Sequence, residues 1–501
     1  MNKIITRDWI NDDITFKADK SRTGALVNTY TKKDFCEFIN YWKLTLLSHG
    51  AKRGDKVGSC IEAAEIHHMA IIFAAFELGM SVVILHRPNN EKECLNPKSN
   101  CNLPLDFFIY FSEYLYLPTL ATATRHHINN SKVAIGYGPV EWAAKRNTYR
   151  STEETPILAQ PGDKAILCNS SGTTGTPKLI SHTHEFLHDL CSYNWIPLEY
   201  KSEDHYLHLS SVNHGASLAL VLPAFHICKN HFFYFSIHGV GRSPGDPNYK
   251  EYETFLDDCI KHEITRIFCT HGGVLDEFIN HAKNRNIKLP NTSVMILSFI
   301  SPDWCSFVKE GSLQSISSPF GCSELCGPVF MTWLDAYTVD NFNPKYLGMP
   351  TYGFYDTKVI DGRIHTSTPY TGEIIFDDIV EAKDDGYYFV SKNRLQKLND
   401  IDINPLDIIE ILEEYATRYQ FEIFIDEVYN ELYILTSNVI AYTQKSYIKN
   451  EIDSFYHDNV TVTDILYVPD LSEATISNKA DKDKLSGIVE KHRLTNRKDS
   501  V

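Results

Sequence analysis

Apolar and polar positions follow two periods along the first third of the chain. From Lys33 to Ser48 apolar residues recur at helical spacing, and Ile66 to Leu78 reads as an apolar helix that Gly79 caps. Ser81 to Leu85 (SVVIL) then reads as a short buried strand. Helix, glycine, strand is the rhythm of an α/β layer. Lys164 to Cys168 (KAILC), Arg266 to Cys269 and Val294 to Phe299 are further strand candidates, and Glu185 to Tyr193 and Ser217 to Leu222 read as helices. The polar run Tyr149 to Gln160 reads as a linker between subdomains, and Tyr370 to Val390 has strand and turn character. Near Arg394 the texture changes. The pattern there predicts helix Leu406 to Tyr415, strands Phe421 to Asp426 and Glu431 to Thr436, helix Gln444 to Phe455 and strand Thr463 to Tyr467. No internal repeat interrupts this order.

Composition narrows the class. A chain of 501 residues suggests about three structural units. With 43% apolar and 12% aromatic residues it can bury large cores, so global disorder is excluded. The net charge of −16 disfavours nucleic acid and anionic membrane as main partners. No stretch approaches the roughly 18 consecutive apolar residues of a membrane span. The start, MNKIITRDWINDD, turns polar before a signal peptide's apolar core could form. Twelve scattered cysteines predict free thiols in a reducing cytoplasm.

The segment richest in chemistry is Ser170-Ser171-Gly172-Thr173-Thr174-Gly175-Thr176-Pro177-Lys178. Two glycines let backbone N–H groups approach phosphate oxygens, hydroxyls donate hydrogen bonds, and a lysine neutralises charge. It is not a P-loop, because its lysine follows proline rather than glycine.

Ser170 to Lys178, with Ser181-His182-Thr183-His184 after it, resembles the phosphate loop of the adenylate-forming superfamily. That superfamily comprises acyl- and aryl-CoA synthetases, peptide-synthetase adenylation domains and firefly-type luciferases. The resemblance implies an α/β fold: a large two-subdomain N-terminal portion, residues 1–393 with subdomains of about 1–160 and 161–393, plus a small mobile α+β C-terminal domain, 394–501. It implies an enzyme that joins a carboxylic acid to ATP with magnesium and releases pyrophosphate. The acyl group then passes to a thiol, of coenzyme A or of phosphopantetheine on an acyl carrier protein.

Landmarks in family order extend the resemblance from about residue 50 to 485. Phe320-Gly321-Cys322-Ser323-Glu324 is similar to the second signature: Phe320 would cover adenine, Ser323 would bond phosphate and Glu324 would hold magnesium. Asp378, spaced before Asp385-Gly386-Tyr387, matches the ribose-binding carboxylate, and Arg394 the hinge arginine that reaches the ribose. His214, after Ser210-Ser211-Val212-Asn213, matches a residue at the wall of the acyl pocket. Thr475-Ile476-Ser477-Asn478-Lys479 matches the loop whose lysine meets carboxylate and α-phosphate as charge develops. Gly54-Asp55-Lys56-Val57, Asp163 and Gly348-Met349-Pro350 sit at further landmarks.

Departures carry information about the substrates. Leu179 follows Lys178 where glycine is frequent, and Ser298-Phe299 replaces a Gly-Gly that lines the adenine or acyl pocket. Phe299 brings a ring there, which predicts a shallow pocket. Val212-Asn213-His214-Gly215 contains no carboxylate for an α-ammonium, so Asn213 and His214 favour a small aryl or short acyl acid. Phe376-Asp377 replaces the usual Thr-Gly before Asp378. Asp400 and Asp402 add negative charge where the thiol carrier enters, which allows a non-CoA acceptor.

Two rival classes follow from the residues. His184-Glu185-Phe186-Leu187-His188 is an H-E-x-x-H on a predicted helix, the pattern of a zinc peptidase. A binding protein that keeps the nucleotide site without turnover is the other. Cys322 and Cys326 lack a second cysteine pair to complete a zinc site.

Overall fold

A computed structural model describes residues 3–19, 26–60, 66–85, 104–112, 115, 118–137, 148–169, 179–208, 215–233, 251–269, 272–297, 299–351, 353–392, 396–398, 401–403, 408, 411–412, 421–426, 429, 431–436, 442–455, 460–468, 475–476, 479–480 and 482–498. The helical spacing read near the N-terminus becomes the helix Lys32–Ser48. Its start is chemically specified. Thr31 Oγ1 accepts from the Asp34 N–H, and Asp34 returns the bond to the Thr31 N–H, a reciprocal capping box. The apolar run becomes the helix Ile66–Glu77, buried along its whole length. Gly79 ends this unit at φ +68°, where an added Cβ would stand 2.8 Å from Asp163 Oδ2. Only glycine meets both demands, and the chain turns directly into the strand Ser81–Val83.

Two sheets organise the large portion. A six-stranded sheet runs Ser131–Tyr137, Leu105–Phe111, Lys56–Cys60, Ser81–Val83, Lys164–Asn169, Leu179–Thr183. Its first five strands are parallel and the last is antiparallel, with Asn169 opposite Leu179. These two residues flank Ser170 to Lys178. A thirteen-stranded sheet runs from Asp356–Ile360 at one edge to Leu26–Thr31 at the other. The parallel series Leu313–Phe320, Leu289–Ile296, Arg266–Cys269, His205–His208, Asn230–Phe233 lies inside it. Parallel strands need cover on both faces: the buried helices Ile66–Glu77 and Gly215–Ile227 lie in the core shared by the two sheets, and Glu251–Lys261 and Gly272–Asn284 pack in a second core with Leu207, Phe232, Ile267 and Val294. One continuous core contains residues of both sheets, from Ile5 to Phe389, with Phe16, Phe35, Phe73 and Phe225 in mutual ring contact.

Sheet membership crosses residue 160 in both directions. Lys164–Asn169 and Leu179–Thr183 complete the first sheet, while Thr15–Asp19 and Leu26–Thr31 complete the second. The polar run Tyr149 to Gln160 is therefore a surface crossing and does not separate the sheets; strand pairing, not chain order, decides. The strand expected over Val294 to Phe299 begins earlier and ends at Ile296.

Beyond Phe389 the large cores stop. The strands Phe421–Asp426, Glu431–Thr436 and Val462–Tyr467 form a three-stranded sheet, accompanied by the helices Tyr442–Phe455 and Lys482–Lys498. Two small cores belong to this part alone, one from Leu398 to Ile465 and one from Phe424 to Val489. Most of the predicted helix Leu406 to Tyr415 lies outside the described residues. Among the described residues no helix is long and apolar enough to cross a membrane.

Candidate active site

The strand Leu313–Phe320 pairs antiparallel with Phe330–Asp335, and Phe320 faces Phe330 in the register. The intervening turn is tightly folded. Leu325 and Cys326 donate back to the Cys322 carbonyl, and Val329 donates to Phe320 O at 2.8 Å. Gly321 is required by contact: a Cβ there would lie 2.2 Å from the Gly327 carbonyl oxygen. This turn carries Ser323 and Glu324, both half-buried.

Behind it stands the long strand Thr371–Lys383. Alternation along that strand turns Phe376, Asp378 and Val380 inward. The Phe376 ring stacks on Phe320 at 5.9 Å between centroids and 28° between planes. Asp378, 8% exposed, is two residues further along the same face and sits opposite Lys392 in the ladder. Phe320, Phe376 and Asp378 thus share one corner. One face of the Phe320 ring is already covered by protein.

The same corner meets the first sheet. His182, on Leu179–Thr183, bonds through Nε2 to the Ser323 carbonyl at 2.9 Å. A carbonyl can only accept, so Nε2 carries the proton. The His182 ring is held flat on Phe186, 4.6 Å and 18° apart. Burial lowers the pKa of His182, while the Ser323 carbonyl and the Glu324 charge act the other way. Glu324 also reaches two thiols. Burial, with the Glu324 charge adding to it, pushes Cys168 up to about 12. Burial also raises Cys322, again with Glu324 as the next cause. Among the described residues, the titratable groups that feel the Glu324 charge are therefore protonated thiols and a neutral imidazole at neutral pH. Among the described residues no lysine or arginine forms an ion pair with it. Cys168 lies two residues before Ser170, so the Glu324 charge acts on the strand that leads into the phosphate-loop segment.

A carboxylate that forms no ion pair among the described residues suits a magnesium ion, which prefers carboxylate and phosphate oxygens. The corner therefore fits the residues expected to hold one.

The expected site residues divide cleanly. Phe320, Gly321, Ser323, Glu324 and Asp378 are described and come together. Phe299 is described and lies on Phe389, 5.3 Å between ring centroids, with the residue 37% exposed. Phe389 is the strand partner of Val380, two positions beyond Asp378. Of Lys479 only the backbone is described, in the two-residue strand Lys479–Ala480 paired with Thr475–Ile476. Ser170, Ser171, Gly172, Thr173, Thr174, Gly175, Thr176, Lys178, Asn213, His214, Ser298 and Arg394 lie outside the described residues.

Sequence reasoning missed Cys168 and the roles of His182 and Phe376. Phe376 stood out only as a departure from Thr-Gly; nothing in its spacing announced a ring stack.

The H-E-x-x-H does not assemble a metal site. His184 and His188 share the helix His184–Asn194, but the His184 ring is fully buried edge-on against Phe76 at 5.2 Å. Burial lowers its pKa to about 4. His188 bonds Asp189 at 3.1 Å. Among the described residues no group of three or more His, Cys, Asp or Glu could hold a metal ion.

A two-sheet α/β portion with a carboxylate turn bonded to the strand that follows the hydroxyl-rich segment, and a small C-terminal sheet with its own cores, fit the adenylate-forming class. The pattern of the AMP-binding enzyme family matches residues 27–378, and the chain belongs to that family of AMP-forming ligases. Solved structures share the fold at low identity. The A-PCP protein McyG complexed with phenylalanyl-adenylate is 15% identical, with 99% of this chain and 97% of that chain covered and a TM-score of 0.72. The MenE O-succinylbenzoate coenzyme A synthetase of Bacillus subtilis in complex with AMP is 13% identical, covering 95% and 96%, with a TM-score of 0.68. The anthranilate CoA ligase AuaEII in complex with anthranoyl-AMP is 14% identical, covering 97% of each chain, with a TM-score of 0.67. No curated protein matches the sequence.

Proposed function

We propose that the protein activates a small aryl or short acyl acid with ATP and passes the acyl group to a thiol. A carboxylate oxygen of the acid attacks the α-phosphorus, the bond to the bridging oxygen breaks, and pyrophosphate leaves. Lys178 and the hydroxyls of Ser170 to Thr176 hold the departing phosphates. Phe320 covers adenine, and Asp378 and Arg394 fix the ribose. Glu324 holds magnesium, which offsets phosphate charge. Lys479 arrives with the C-terminal domain, 394–501, and stabilises the charge that grows in the transition state. Movement of that domain then admits the acceptor. The separate cores on either side of residues 390–397 support a hinge there.

The observation that carries the reading is the hydrogen bond from His182, on the strand after the loop, to the peptide before Glu324, with the Glu324 charge acting on Cys168 of the strand before it. That bond brings residues 141 positions apart to one corner, which supports a site there for a metal-bound triphosphate. Phe299, held on Phe389, supports the shallow acid pocket, with Asn213 and His214 at its wall. The acceptor is coenzyme A or a carrier-protein pantetheine; Asp400 and Asp402 favour the alternative of a non-CoA acceptor. The chain works in the cytoplasm, in keeping with nine described cysteines of which none forms a disulfide with another.

Pyrophosphate–ATP exchange across a panel of carboxylic acids tests this. Exchange is expected with one group of small acids and to require magnesium. A folded protein that binds ATP yet exchanges with no acid overturns the reading in favour of nucleotide binding without turnover.

A further inference from the structure

We infer that His182 is a positioning residue that locks the Glu324 turn to the strand leaving the phosphate-loop segment, and so sets the metal carboxylate against the triphosphate. The inference rests on the proposed metal role of Glu324. His182 is 3% exposed and sits on the edge strand Leu179–Thr183, three residues from its start. That strand begins at the residue following Lys178. The ring cannot swing freely, because Phe186 lies flat beneath it, and Phe186 is itself wedged against Phe354 and Tyr370. The other end of the bond is the carbonyl of Ser323, the peptide joined directly to Glu324. One hydrogen bond therefore bridges 141 residues of chain and couples two segments that no strand pairing among the described residues connects.

Removing the donor leaves a carbonyl without its partner and frees the turn to shift. Displacement of a liganding group by about 1 Å can cost on the order of 100-fold where geometry is decisive. The cost falls on the metal-dependent part of nucleotide binding. The base and ribose fall to Phe320, backed by Phe376, and to Asp378, which lie on the strands Leu313–Phe320 and Thr371–Lys383 rather than in the turn.

The test is ATP binding to the full chain, measured by titration calorimetry once in excess magnesium chloride and once in EDTA. Wild type is expected to bind more tightly with magnesium. His182→Leu is expected to lose about tenfold or more of that gain while keeping its affinity in EDTA, since a merely structural defect would weaken both alike. His182→Gln, whose amide nitrogen reaches the position of Nε2, is expected to recover most of the gain; the shorter His182→Asn is not. If His182→Leu fails to fold, the Gln and Asn pair decides. Glu324→Gln separates the two propositions. If it keeps the full magnesium gain, the metal role of Glu324 fails. If it loses the gain while the His182 variants keep theirs, or if Gln and Asn behave alike, the positioning role of His182 is overturned.

Discussion

Two glutamates in this protein meet opposite environments. Glu77, at the end of the helix Ile66–Glu77, has no solvent exposure and is given two cations. Lys43 Nζ lies 2.7 Å away, and Arg7 contacts both carboxylate oxygens at 2.6 to 2.8 Å. Glu324 is half-buried and is given thiols and a neutral imidazole. The charge of Glu77 is satisfied within the fold and contributes to structure. That of Glu324 meets no lysine or arginine among the described residues, in keeping with the metal role proposed for it. The same side chain serves packing or chemistry according to which neighbours the fold brings to it.

Breaking the Glu77 cluster is expected to produce the largest change in stability. Lys43→Met keeps the volume but strips a buried carboxylate of one partner and leaves the Thr155 carbonyl without its donor. A loss of about 3 to 5 kcal/mol is expected, read from the urea midpoint. A second experiment separates the buried imidazoles from the buried carboxylate by pH. His231 is fully buried and neutral, bonded to His208 at 2.8 Å, and burial lowers its pKa to about 4. Below about pH 6.5 the unfolded chain takes up a proton that the folded His231 refuses, so stability falls as pH drops toward 4, by up to about 3 kcal/mol from this group. His208, lowered well below its usual value by burial and then by His231, acts in the same direction. Glu77 behaves differently. Despite its burial, Arg7 and Lys43 lower its pKa, so its contribution persists until pH falls below the ordinary carboxylate range. Denaturation curves between pH 7 and 4.5 should therefore decline, and His231→Gln should flatten that decline while lowering the plateau.

Glu324→Gln should do the reverse of Lys43→Met. We expect a change in stability within about 0.5 kcal/mol, as for a site away from the core, and a loss of pyrophosphate exchange of about 100-fold. A destabilised but active variant would collapse the contrast between the two carboxylates. The smallest effect belongs to Phe376→Ala. Ring pairs contribute about 0.5 to 1.5 kcal/mol beyond burial, so loosening the support of Phe320 should raise the ATP requirement about tenfold or less, with the acid requirement unchanged.

Much of the fold was legible because local chemistry and tertiary structure agree. Arg266–Cys269, Phe421–Asp426 and Glu431–Thr436 occur as strands with the bounds expected. The helix Lys32–Ser48 was marked by the apolar spacing from Lys33 to Ser48, while its Thr31–Asp34 cap emerged from the structure. The division near residue 160 was not legible, because Tyr149 to Gln160 has the composition of a linker whether or not the sheets part there. In the candidate site, Phe320, Ser323, Glu324 and Asp378 could be named from motif order. Cys168, His182 and Phe376 could not, because their roles arise from contacts across the chain. The H-E-x-x-H shows the converse: correct spacing on a real helix, with one imidazole sealed in the core.

What the sequence determined alone was the set of parts: a helix where apolar residues repeat at its period, a turn where glycine is sterically necessary, a loop whose hydroxyls and lysine suit phosphate. Those depend on residues within a turn or two of each other. What only the tertiary structure decided was which parts meet. A ring at Phe376 backs Phe320, and an imidazole at His182 holds the peptide before Glu324, because strands far apart in the chain were brought side by side. No local pattern encodes that distance, since the packing of whole sheets sets it.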